Sequence, residues 1–163
     1  VETLQNIAKV TVWGFQASVE YYITKDLSIQ THANWIGGKE TDDVKNEQVP
    51  LRHAPPFYGS TFIRYRFKKN FVEASANYNS VIKNEDLAPS EQAKTDIYAK
   101  DGNGKPYSPG WYTLNLKVSF QITKNLMATT GWENMSNQRY RPYSSGIVAA
   151  GSNLIIGLRA SLN

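Results

Sequence analysis

Cysteine is missing from all 163 residues, so disulfides and thiolate metal sites are excluded. Histidine occurs twice, at His32 and His53, which leaves little for a zinc centre or a nucleophile–base pair. No run of lysine or arginine accompanies the net charge of +4, and so mild and scattered an excess leaves no nucleic-acid footprint. Long apolar runs are lacking too. Mean hydropathy is −0.49 and no stretch is apolar enough for a membrane-spanning helix. Membrane β-strands stay open, because only every second residue of such a strand is apolar. Initiating Met and signal peptide are both absent, and Val1 lies close to a strand pattern. The sequence therefore reads as starting part-way through something longer.

What is present is a short phrase said three times: Ile23-Thr24-Lys25-Asp26-Leu27, Phe67-Lys68-Lys69-Asn70-Phe71 and Ile122-Thr123-Lys124-Asn125-Leu126. Each joins two stretches of alternating residues. Asp and Asn tolerate turn conformations and bond to nearby backbone, so each phrase predicts a tight hairpin turn. The flanks have a period of two. Trp13, Phe15, Ala17, Val19 and Tyr21 oppose Gly14, Gln16, Ser18, Glu20 and Tyr22. The same logic predicts seven strands, at about 9–23, 26–37, 57–67, 71–81, 110–122, 125–133 and 153–162, each paired with the next. Residues 38–56, 82–109 and 134–152 lack periodicity and read as long loops. Asp101-Gly102-Asn103-Gly104 reads as a small hairpin within the second; as a calcium loop it lacks the acidic ligand at its far end.

Two surroundings could receive the apolar faces: the core of a soluble sandwich, or lipid. Four features decide for lipid. Strands of this length exceed the usual five or six residues of soluble strands and match the roughly 9–11 that span a bilayer. Connections are tight at one end and long at the other, as in outer-membrane barrels. Charge is confined to one face: Glu20, His32, Arg64, Arg66, Glu73, Lys117, Glu133 and Arg159 all fall opposite the apolar residues and are predicted to face the lumen. Aromatics fall in two belts. Trp13, Trp35, Phe57, Tyr78, Tyr112 and Trp132 lie toward the long loops; Tyr21, Tyr65, Phe67 and Phe120 lie toward the turns. Eight residues separate Trp13 from Tyr21, Phe57 from Tyr65 and Tyr112 from Phe120. That is about 26 Å along a strand, or about 20 Å of height once tilted.

The last third carries a resemblance. Tyr107-Ser108-Pro109-Gly110-Trp111-Tyr112-Thr113-Leu114-Asn115 and Glu133-Asn134-Met135-Ser136-Asn137-Gln138-Arg139-Tyr140-Arg141-Pro142-Tyr143-Ser144-Ser145-Gly146-Ile147 resemble the end of TonB-dependent outer-membrane receptors of the Bacteroidetes style. Val49-Pro50-Leu51-Arg52-His53-Ala54-Pro55-Pro56-Phe57-Tyr58-Gly59 is similar to a segment returning from an external loop in that family. Two departures stand out: Gly151-Ser152-Asn153 where Gly-Arg-Asn is expected, and an end at Leu162-Asn163 rather than on an aromatic residue.

The resemblance implies an all-β, antiparallel up-and-down meander forming a segment of a 22-stranded transmembrane barrel. Residues 1–163 are then its C-terminal part, with the plug domain and earlier strands absent. The alternative of a complete small barrel meets an odd strand count. Implied with it are the Gram-negative outer membrane, surrounding lipid, the remaining strands and plug as partners, energisation by TonB, and uptake of a ferric siderophore or haem. No resident cofactor and no enzymatic activity are implied. Tyr98, Tyr107, Arg139, Tyr140, Arg141 and Tyr143 are the loop residues that could pack on or pair with an anionic chelate, with a purely rim-ordering role as the alternative. His53 could ligate haem iron, though its place beside Pro55-Pro56 points to a structural role. Other readings are a non-transporting barrel (adhesin or structural) and a barrel hydrolase pairing Ser75 or Ser119 with His32.

Overall fold

The computed structural model describes residues 9–42 and 46–161. Seven long strands run through it: β1 (Val10–Tyr22), β2 (Leu27–Thr41), β4 (Tyr58–Phe67), β5 (Asn70–Asn79), β8 (Trp111–Thr123), β9 (Leu126–Glu133) and β10 (Asn153–Ala160). A short β3 (Gln48–Pro50), a 3-10 turn at Asn84–Asp86, one helical turn α1 (Pro89–Gln92) and a two-rung hairpin of β6 (Ala99–Lys100) and β7 (Pro106–Tyr107) lie between them. The long strands form one antiparallel sheet in the order β1-β2-β4-β5-β8-β9-β10, the meander that alternation predicts. The first hairpin pairs Val10 with Glu40 through Tyr22 with Ser28. Leu162, the expected last residue of the final strand, lies outside the described residues.

Two details differ from expectation. First, β2 continues past residue 37 to Thr41 and takes β3 as a partner over Lys39–Thr41. Glu40 holds this extension: its Oε2 accepts from Arg52 backbone N–H at 3.4 Å and Arg52 Nε at 3.3 Å. Beyond the lipid-facing stretch a strand needs no apolar alternation, so the pattern fades before the strand does. Second, Asp and Asn do not make the local bonds in the turns. Thr24 Oγ1 accepts from the N–H of Asp26 at 3.2 Å and of Leu27 at 3.0 Å, and Thr123 Oγ1 from that of Asn125 at 3.3 Å. In the second turn Lys68 takes the left-handed backbone, at φ 54°. The acidic and amide positions instead bond across: Asp26 O accepts from Arg66 N–H and Asn125 O from Ser161 N–H. Asn70 Oδ1 accepts from Gln121 N–H at 2.8 Å.

The register keeps the two faces apart along the long strands, with one shift between β8 and β9 at Gln121–Thr123. Val19 meets Thr31, Ile29 meets Ile63, which meets Ala74, which meets Leu116. Side chains of this face stand exposed, Ile156 at 80% and Leu158 at 71%. The opposite face is concave, and β4, β5, β8, β9 and β10 together enclose a cavity of about 580 Å³ on it.

The aromatic belts do not follow the hydrogen-bond rows. Counted in register, the upper belt descends eight residues from Trp13 to Trp132 across five strand-to-strand steps. At about 3.3 Å per residue and 4.8 Å per strand, that is a slant of about 45°. The lower belt descends four residues from Tyr21 to Phe120 over four steps, a slant of about 35° in the same sense. Strands of membrane barrels tilt by about 35–45°. Two parallel girdles slanting by the strand tilt are what a sheet in a flat bilayer must show. Within the upper girdle Tyr78 lies over Gly59, where a Cβ would come within 2.7 Å of its ring, and its hydroxyl reaches His32 O at 3.4 Å.

Candidate functional site

The three long connections converge at one end of the sheet and build a small head. Its core is Ile82, Leu87 and Tyr98, with Ile97 and Tyr143 packed against it. With Ala88 these three are the buried apolar side chains among the described residues. Local chemistry explains the shape. Pro89 opens α1 at a position where proline needs no N–H. Gln92 Nε2 ties the turn back to Asn84 O at 2.8 Å and Leu87 O at 3.0 Å. Asp101 Oδ1 accepts from Asn103 N–H at 2.9 Å and Lys105 N–H at 2.8 Å, closing the β6–β7 hairpin. That carboxylate oxygen is spent on the turn, so the hairpin reading stands over the calcium loop.

At the centre of the head is Glu91, fully buried. Lys94 Nζ donates to its Oε1 at 2.7 Å, and Tyr98 Oη donates to its Oε2. Ser144 Oγ donates to the same Oε2 at 3.3 Å, and His53 Nδ1 stands 3.7 Å from Oε1. Burial pushes this carboxyl up; hydrogen bonds from Lys94 and Tyr98 and the charges of Lys94 and His53 outweigh it, leaving the pKa below the usual carboxylate value. Burial and the bond to Glu91 drive the Tyr98 phenol far up, and burial raises Tyr143. His53 and Ser144 both hold left-handed backbone, at φ 60° and 57°. Such residues cost of order 1–3 kcal/mol each and persist where surroundings over-determine them. Ser, His and Glu do meet here, but the same ring nitrogen, His53 Nδ1, faces both Ser144 Oγ (3.3 Å) and Glu91. A hydrolytic relay needs one nitrogen for each partner. The alternative pairing of Ser75 or Ser119 with His32 is not made either: Ser119 bonds to Ala128 O and Thr129, Ser75 accepts from Asn115, and the His32 ring packs on Phe62.

Of the six loop residues singled out as ligand contacts, Tyr98, Arg139, Tyr140 and Arg141 line one cleft of about 460 Å³ beside Trp111 and Asp96. Arg141 Nη1 donates to the Asp96 and Ile97 carbonyls at 3.0 Å each, and Tyr140 stacks on Trp111 at 4.0 Å between centroids. Arg139 is the exposed one and makes no ion pair or hydrogen bond among the described residues. Tyr143 lies in the neighbouring cavity with His53 and Tyr58, and Tyr107 sits in β7 outside both. Periodicity could not reveal Glu91, His53 or Ser144 as a cluster; the available signal was Pro89 two residues before an acid, which marks a helix start.

On the concave face, Glu20, His32, Arg64, Arg66, Glu73, Lys117, Glu133 and Arg159 share one side of the sheet by register. Arg64, Glu73 and Lys117 come together: Arg64 Nε donates to Glu73 Oε2 at 2.7 Å, and Arg64 and Lys117 stand over the Phe71 ring at 5.2 and 6.0 Å. The other five are spread along the wall.

The sequence profile of the TonB dependent receptor-like β-barrel family matches residues 2–135. The chain belongs to that family. Barrels of TonB-dependent receptors reside in the Gram-negative outer membrane, and the slanted girdles fit that setting. No curated protein sequence matches the chain. Among solved structures the receptor sheet resembles the copper transporter OprC, with a TM-score of 0.72 at 12% identity over 93% of this chain and 23% of that one. It also resembles the siderophore receptor PiuA from Acinetobacter baumannii, with a TM-score of 0.61 at 15% identity over 93% of this chain and 22% of that one. The chain thus spans less than a quarter of either receptor, and at these identities the likeness establishes the fold.

Proposed function

We propose that residues 1–163 form the C-terminal part of a 22-stranded receptor barrel that imports a bulky, scarce solute, a ferric siderophore or haem, with energy delivered by TonB. The observation that carries the reading is the family match together with a sheet whose girdles slant by a barrel's tilt. The plug and the TonB-contacting segment belong to other parts of the same receptor. Strands β1 and β10 end the sheet, and in lipid an unpaired strand edge costs several kcal/mol per polar group. Both edges therefore pair with further strands of that barrel.

The solute class is supported by the cleft. Arg139 offers a free cation beside the faces of Trp111 and Tyr140, and no His, Met or Cys is among the described residues lining it. Such a surface reads the outside of an anionic chelate rather than a bare copper ion, which prefers soft ligands. The test is accumulation of radiolabelled iron, given as ferric siderophores or as haem, by cells carrying the full-length receptor. Uptake that requires TonB and falls several-fold in Arg139→Ala is expected. Uptake indifferent to the receptor would leave a non-transporting barrel.

A further inference from the structure

We infer that Glu91 is a latch that binds the three external loops into one body before any solute arrives, so that the Arg139–Tyr140 cleft is preassembled rather than closed around its cargo. The four groups on its carboxylate come from all three connections: His53 from the first, Lys94 and Tyr98 from the second, Ser144 from the third. Two of these, His53 and Ser144, are held in left-handed backbone at the point of contact. The first and third loops thus spend conformational strain to reach the same buried carboxylate. His53 Nδ1 and Ser144 Oγ also contact each other at 3.3 Å, so the first and third loops meet where Glu91 joins them to the second. Arg141, which lines the cleft, fastens the third loop to the second through the carbonyls just before Tyr98. Glu91 touches no part of the cleft's open surface. It acts through Tyr98 and Ser144, both of which line the cleft, as a positioning residue.

The inference rests on the receptor reading only for the external position of the loops, and its test needs no transported solute, so the two can fail separately. Gly102, at the tip of the β6–β7 hairpin, and Gly146, in the third loop, have open space where a Cβ would stand. Spin labels on Gly102→Cys and Gly146→Cys, in the full-length receptor with no other accessible cysteine, report the distance between second and third loops. A narrow distribution is expected without any ligand. Glu91→Ala should broaden it about twofold or more while the barrel stays resistant to unfolding in detergent, because buried donors lose their acceptor. His53→Ala with Ser144→Ala cuts only the cross-loop arms. It should broaden the distribution equally, yet leave amide exchange over 89–98 slow, which a general loosening of the second loop would not do. Glu91→Gln, which keeps shape and one acceptor, should restore part of the narrowness. An unchanged distribution in the double variant overturns the latch, even if Glu91→Ala fails to insert. So does a broad distribution in the unaltered receptor.

Discussion

The long strands and the loops of this chain solve opposite problems. The strands are regular and bury almost nothing apolar: Tyr21, Ile63, Leu114 and Ile156 all point outward. The loops are irregular, yet they hold Leu87 and Glu91 at 0% exposure, an apolar core and a buried charge within one turn of each other. Regularity and burial part company because the solvents differ. In lipid an exposed Leu costs nothing, and backbone hydrogen bonds must all be closed, which long ladders accomplish. In water the backbone can bond to solvent, and order must come from burying side chains. The head is therefore a miniature water-soluble unit seated on a sheet made for lipid.

The sharpest way to break that comparison is a charge on each face of the sheet. Leu116→Arg should cost about 2–4 kcal/mol in a membrane-folding assay, and Asn115→Arg, on the concave face, a small fraction of that. Equal costs would mean both faces meet the same solvent. Next comes the head's own core. Leu87→Ala should destabilise the head by about 2–3 kcal/mol, read as faster amide exchange over residues 82–98, with exchange in β5 and β8 unchanged. If the strands loosen as well, head and sheet are one cooperative unit.

The smallest effect expected is that of pH on the head. Glu91, with Lys94, Tyr98, Tyr143 and His53 around it, has its pKa lowered on folding. Its contribution is therefore present above the unfolded carboxyl value of about 4.3 and is lost as pH falls through the lower folded value. Tyr98 and Tyr143, raised on folding, contribute below about 10 and lose that contribution as pH rises further. Exchange protection over 82–98 should thus be flat from about pH 5 to 9, once corrected for intrinsic rates. A midpoint inside that range would overturn the assignment of pH dependence to Glu91 and the two tyrosines.

The sheet was legible because a half-lipid strand must alternate: seven strands, their pairing and the faces of their residues follow from Trp13 to Leu158 by parity, apart from the register shift at Gln121–Thr123. Its turns were legible as turns, though not in chemistry. Thr24 and Lys68 take the roles assigned to Asp26 and Asn70, whose groups serve the neighbouring strands. The extension of β2 was hidden because Lys39-Glu40-Thr41 is polar on both faces. The head was illegible for a different reason. Ile82, Leu87 and Tyr98 have no common period, and His53, Glu91 and Ser144 are brought together from three loops by tertiary packing. Tyr98, Arg139, Tyr140 and Arg141 were picked by residue type, and two of them put their polar atoms to work inside the head.

Alternation in the strands has one more consequence, and it concerns delivery. A protein bound for the outer membrane must first be threaded through the inner one, where a continuous greasy stretch of about 20 residues would be taken for an anchor and released sideways into that bilayer. Here polar residues interrupt every apolar stretch within a few positions, and mean hydropathy stays at −0.49. Unfolded, the chain carries no stop signal for the first membrane. Only when the strands form do the apolar residues gather on one side, so the same residues that are inert in transit become the anchor on arrival.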